Sequence, residues 1–127
     1  MRLGSATALL LMLAAGAGCG AKKIVGPEGG DLTVAYTGPS TTDGALLILV
    51  TGAVDAVKSV AGYQVASAAV GPASTRVVVT GPLVPGDLFR ITVKDVSASY
   101  GATIEAAADR TTFALAETGS YTATIRK

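Results

Sequence analysis

From residue 31 onward, apolar and polar residues alternate over short stretches, and turn-forming residues separate the stretches. The clearest case is residues 75–95, TRVVVTGPLVPGDLFRITVKD, two strand-like runs joined by a connection with two prolines and two glycines. In the second run Phe89, Ile91 and Val93 fall on one side and Arg90, Thr92 and Lys94 on the other, the period of a half-buried strand. Pro82 and Pro85 exclude a two-residue hairpin between the runs. Residues 31–37 alternate in the same way, with Leu32, Val34 and Tyr36 on one face.

Residues 45–51 (ALLILVT) are apolar almost throughout and bounded by Gly44 and Gly52. The run is too short for a typical helix and predicts a central strand buried on both faces, with Leu47 and Leu49 in the core. Further strands are predicted over 63–70, 100–107, 111–116 and 120–127, with turns at 38–44, 71–74 and Gly119. Two stretches are open between strand and helix. Residues 53–60 fit two helical turns or a short strand near Val57, and 105–109 (EAAAD) competes as a helical turn because Ala is the best helix former. The total is eight or nine short strands with turn signals every 8–12 residues, the pattern of an all-β antiparallel β-sandwich of Ig-like type.

Composition narrows what such a sandwich does. The chain has 127 residues, 50% hydrophobic but only 5% aromatic and without Trp, so its core is built from small aliphatic side chains. Lys and Arg number 10 and acids 9, with no basic stripe, which leaves no electrostatic footprint for nucleic acid. No His occurs, which removes the commonest general base and transition-metal ligand. No lysine stands at S-x-x-K spacing, and no GxGxxG or P-loop sequence occurs, so no activated nucleophile and no cofactor is implied and the chain does not read as an enzyme.

The N-terminus has a different character. Arg2 precedes an apolar run of ten residues, 6–15, too short to span a bilayer and suited to a secretory signal. Gly16, Ala17 and Gly18 lead directly into Cys19, the only cysteine. This arrangement resembles the lipobox of bacterial lipoproteins, with Gly16 where that family usually carries Leu. The resemblance implies a signal peptide over 1–18, diacylation of Cys19 and a lipidated tether over 19–30. It also implies a site in the bacterial cell envelope, anchored to the membrane through the N-terminal lipid, on the periplasmic or surface side. Two acyl chains suffice for stable anchoring. Lys22 and Lys23 fall beside the lipid, where they meet anionic headgroups or simply face water. The alternative is an ordinary signal peptide cleaved near Ala17 that leaves a free thiol. Either way no disulfide forms within the chain, and residues 31–127 hold together as one domain by packing.

Within that domain, DGALLILVTG (43–52) and PGDLFRITVKDV (85–96) resemble strands of bacterial cohesin-like domains, sandwiches of the superfamily that includes carbohydrate-binding modules. The resemblance covers about residues 31–127. It implies protein–protein recognition on a flat sheet face, and no dockerin-contacting residue is matched. Asp43, Asp55, Asp87, Asp95 and Asp109 lie in or beside predicted loops without Asp-x-Asp-x-Asp spacing and read as turn formers rather than as a calcium site. Among the four tyrosines, Tyr63 and Tyr100 adjoin glycines and are the candidates for an exposed glycan-binding platform. The leading expectation is a lipid-anchored module that binds another envelope protein. A structural envelope lipoprotein without a discrete ligand and a glycan-binding domain are the alternatives.

Overall fold

The computed structural model describes residues 27–127; Cys19, Lys22 and Lys23 lie outside the described residues. Eight strands follow in order: β1 Gly30–Thr37, β2 Asp43–Thr51, β3 Ala56–Ser59, β4 Gln64–Gly71, β5 Ser74–Thr80, β6 Gly86–Val93, β7 Gly101–Asp109 and β8 Thr122–Arg126. They form two four-stranded antiparallel sheets, and the domain is an all-β sandwich. Sheet one has the order β3-β6-β1-β8 and sheet two β4-β5-β2-β7. Only β4 and β5 are joined as a hairpin within one sheet; every other connection crosses between the sheets. The chain therefore cannot complete either sheet without building the other.

The predicted alternation sets the core. Leu32, Val34 and Tyr36 of β1 and Phe89, Ile91 and Val93 of β6 point inward from sheet one. Leu46, Ile48 and Val50 of β2 and Val77 and Val79 of β5 meet them from sheet two. The two runs on either side of the Pro82–Pro85 connection belong to different sheets. Leu83, fully buried, pins that crossing, and Gly81 and Gly86 turn its corners with φ of +140° and +138°, a region L side chains rarely adopt.

Four expectations are settled or corrected. Residues 56–59 form a strand, where Val57 faces the core against Ile91. The alanine-rich 105–109 segment is also strand, because pairing with β2 places Ile104 and Ala107 in the core and a bulge beside Leu47 and Ile48 absorbs Glu105. Tertiary pairing outweighs alanine's helix propensity here. Strand β2 is central but buried on one face only: Leu47 and Leu49 are half-buried on the outer side, and Ile48 and its inward neighbours carry the core. Residues 111–116 form no strand; one isolated bridge joins Leu115 to Ala108. The Asp109 carboxylate accepts the Thr111 and Thr112 amides and folds that segment into a turn instead.

Candidate binding surface

The two outer faces of the sandwich differ in chemistry. Sheet one presents Asp31, Thr33, Lys58, Arg90, Thr92, Thr124 and Arg126 to water. Arg126 pairs with Asp87 at 2.8 Å and Lys58 with Asp31 at 3.8 Å, while Arg90 makes no ion pair among the described residues. Sheet two presents Ala45, Leu47, Leu49, Ala66, Ala68, Val78, Ala106 and Ala108, with Gln64, Thr80 and Thr103 among them. One ion pair crosses it, Arg76 to Glu105 at 2.9 Å. Val78 is 40% exposed although it lies mid-strand. An apolar outer face of this kind marks an interaction surface more often than single scattered hydrophobics do.

Three shallow hollows run along this face. One of about 150 Å³ lies among Leu47, Val78, Ala106 and Leu115. The largest, about 400 Å³, continues from Ala45 and Ala108 to Pro82, Arg110 and Phe113. A third, about 170 Å³, lies by Ala66, Val78 and Thr80. They share Ala45, Ala108, Val78 and Thr80 and so form one continuous apolar surface.

The segment after β7 forms a ridge at the end of this surface. Phe113 and Leu115 are each 79% exposed, the most exposed large hydrophobic residues described. Their loop is held firmly. Thr42 Oγ1 donates to Asp109 Oδ1 at 2.6 Å, and the Thr111 and Thr112 amides donate to Oδ2 at 2.9 Å. These donors, the Thr42 hydroxyl first, draw the Asp109 carboxyl down to about 2. The backbone then folds back along β7: the Phe113 amide donates to Asp109 O, and the Ala116 amide to Ala107 O. Phe113 sits at φ +61°, a left-handed conformation costly for a bulky side chain. A well-braced loop thus exposes a strained aromatic residue to water. Gly44 admits the neighbouring chain, since a Cβ there would collide with the Arg110 Cβ.

Beneath this end of the sandwich lies a buried lock. Asp43, read from the sequence as a loop residue, starts β2 and is 2% exposed. The Tyr121 hydroxyl donates to its Oδ1 at 2.7 Å and the Tyr36 hydroxyl to its Oδ2 at 3.5 Å. The two tyrosine rings stack with centroids 6.3 Å apart. Asp43 belongs to sheet two and both tyrosines to the sheet-one side, so the carboxylate ties the sheets together. Burial, with the Asp43 charge beside it, raises the Tyr36 hydroxyl and pushes Tyr121 up to about 12.

Tyr63 and Tyr100 are both half-buried against the core and stand at opposite ends of sheet two. Tyr63 covers Gly81, and its hydroxyl accepts the Val84 amide at 3.4 Å. Tyr100 covers Gly52, and its hydroxyl donates to the Asp95 carbonyl at 2.7 Å. They are not brought together into one platform. Among the described residues, no three acidic, His or Cys side chains cluster as a metal site. Comparison of the chain with protein families, with curated proteins and with solved structures returned no match.

The sequence reasoning missed Phe113 and Leu115; it took Asp109 as a turn former, which it is, without the exposed ridge that the turn carries. The signal was present in Asp-Arg-Thr-Thr at 109–112: an Asp followed by two Thr is a turn former able to cap its own downstream amides.

Proposed function

We propose that this chain is a lipid-anchored component of the bacterial cell envelope that holds another protein on the outer face of sheet two. The observation that carries the reading is the contrast between the two faces: one rich in charge, the other mostly apolar, with a single ion pair, and bordered by exposed Phe113 and Leu115. The cohesin-like resemblance of residues 43–52 and 85–96 supports the same kind of recognition, on a sheet face. The anchor is Cys19, by the resemblance of 16–19 to a lipobox.

Hydrophobic contact supplies the affinity on this reading. Burying a side chain the size of Phe or Leu contributes about 1.5–3 kcal/mol each, before the cost of association. Asp109 already fixes the backbone of this loop, so binding has only the exposed Phe113 and Leu115 side chains to order, and these are the anchors of the interface. The test is capture of envelope proteins by the full-length chain. The parent should enrich a specific protein that Phe113→Ser and Leu115→Ser each lose, while Thr124→Ser on sheet one retains it. Equal capture by all variants sinks the assignment. A Cys19→Ala variant that stays in the detergent phase on phase separation removes the lipid anchor from the account.

A further inference from the structure

The four edge strands of the sandwich are not equivalent. An edge presents a row of unpaired amides and carbonyls, and proteins blunt it with charge, brevity or a covering segment. Strand β3 has four residues and carries Lys58. Strand β8 has five and carries Arg126, paired with Asp87. Strand β7 carries Glu105 and Asp109, and the Ala114–Ala116 backbone lies against its C-terminal half.

Strand β4, QVASAAVG, has none of these, and its one irregularity, a bulge between Ala69 and Gly71, lies at its end. The strand is eight residues long, holds no charge and no proline, and among the described residues pairs with β5 alone. All but Val65 are exposed. The one charged side chain on the adjoining strand, Arg76, faces Ala68 but reaches away from the edge, across β2, to Glu105.

We propose that β4 pairs with β4 of a second copy of this chain, antiparallel across a two-fold axis perpendicular to sheet two. An isologous pair sets each residue opposite another of the same strand, so any charge near the centre would meet its own like. Strand β4 has no such conflict, whereas Glu105 at the centre of β7 would meet its own copy, and no opposite charge on β4 favours a foreign strand. A two-fold that keeps the outer face outward pairs residues of the same parity. The bulge between Ala69 and Gly71 ends regular geometry, and the regular segment 64–70 is centred on Ser67. Ser67 then faces Ser67 of the second copy, Ala66 faces Ala68, and Gln64 faces Val70. The two four-stranded sheets become one of eight strands, and the apolar faces around Val78 join across the axis. The pairing goes beyond the partner-binding reading and does not depend on the lipid.

Disulfide trapping in membranes from cells making the full-length chain tests the register. Directly opposed antiparallel residues have Cα atoms about 4.5–5.5 Å apart, inside the range a disulfide spans. After mild oxidation, Ser67→Cys should give a band of doubled mass on a non-reducing gel. The parent, with its natural Cys19, and Lys58→Cys on the edge of sheet one should not. Gln64→Cys alone should fail, because its copy lies about 20 Å away by strand rise. Gln64→Cys with Val70→Cys should cross-link, and adding Ser67→Lys to that pair should reduce the product at least tenfold. Ser67 is exposed and Val70 is 48% exposed, so these changes leave the core untouched. No product at Ser67 above the Lys58→Cys level, or equal product at Gln64 alone, overturns the proposal. So does an undiminished product with Ser67→Lys.

Discussion

Replacing Tyr121 by Phe removes one oxygen atom and should destabilise the domain by about 2 kcal/mol, since hydrogen bonds to charged groups contribute about 1.5–3 kcal/mol. The hydroxyl lies 2.7 Å from Asp43 Oδ1, and the Asp43 residue is 2% exposed, so water has little access to take its place. Tyr36→Phe is the internal control. Its hydroxyl stands 3.5 Å from Oδ2, at the limit of a hydrogen bond, and the loss should stay below about 1 kcal/mol. For a domain of this size each kcal/mol shifts Tm by about 4–8 °C, so Tyr121→Phe should lower Tm by roughly 8–16 °C. Combining Tyr121→Phe with Asp43→Asn should show a coupling of at least about 1 kcal/mol, because the two changes remove the same interaction. Urea unfolding followed by far-ultraviolet circular dichroism reads the parent, the two tyrosine variants, Asp43→Asn and the double variant. Equal losses for the two tyrosine variants, or additive losses in the double variant, refute the buried lock. The same hydroxyl predicts an alkaline limit. Tyr121 ionises near 10 in the unfolded chain and at about 12 in the fold, so its contribution is complete below pH 10 and lost as pH rises through 12. Tyr121→Phe should flatten that fall in stability.

Three further outcomes follow from the packing and the loop. Ile48→Ala should cost about 2–5 kcal/mol and Leu49→Ala clearly less, because Ile48 is fully buried and Leu49 faces the outer surface; urea midpoints at equal slope distinguish them. Phe113→Gly should leave stability unchanged or raise it by about 1 kcal/mol by relieving the left-handed backbone, while partner capture is lost; a fall in stability with capture intact contradicts the loop's role. Acid should act on the Asp109 brace late. Its carboxyl is lowered to about 2, so its support is complete above about pH 4 and lost as pH falls through 2, read by amide exchange at Thr111 and Thr112; Asp109→Ala should expose both amides already at neutral pH.

The parts of this fold legible in the sequence were those written in local alternation. Strands β1 and β6 announce their buried faces residue by residue, and Gly71 and Pro72 announce the one hairpin turn. Sheet membership was not legible, because six of the seven connections cross the sandwich and a crossing leaves no periodic trace. The apolar run of β2 was misread for a physical reason. Leu47 and Leu49 look like core residues, yet they line an outer face that no described residue covers. Phe113 and Leu115 alternate like a strand, but the Asp109 carboxylate competes for the backbone and wins locally. Asp43 reads as a turn residue beside Gly44, and only the long-range approach of Tyr121, 78 positions away, makes it a buried tie. The apolar face became visible only when residues from β2, β4, β5 and β7 were set side by side.

The most direct test of that face is site-specific photo-cross-linking in intact envelopes, with the reactive group placed at Leu115 and, separately, at Thr92 on the outer face of sheet one. A single adduct with one other envelope protein from position 115, and none from position 92, is the result expected of a docking surface on sheet two. Adducts of equal yield from both positions, or none from position 115 in a folded protein, would contradict it.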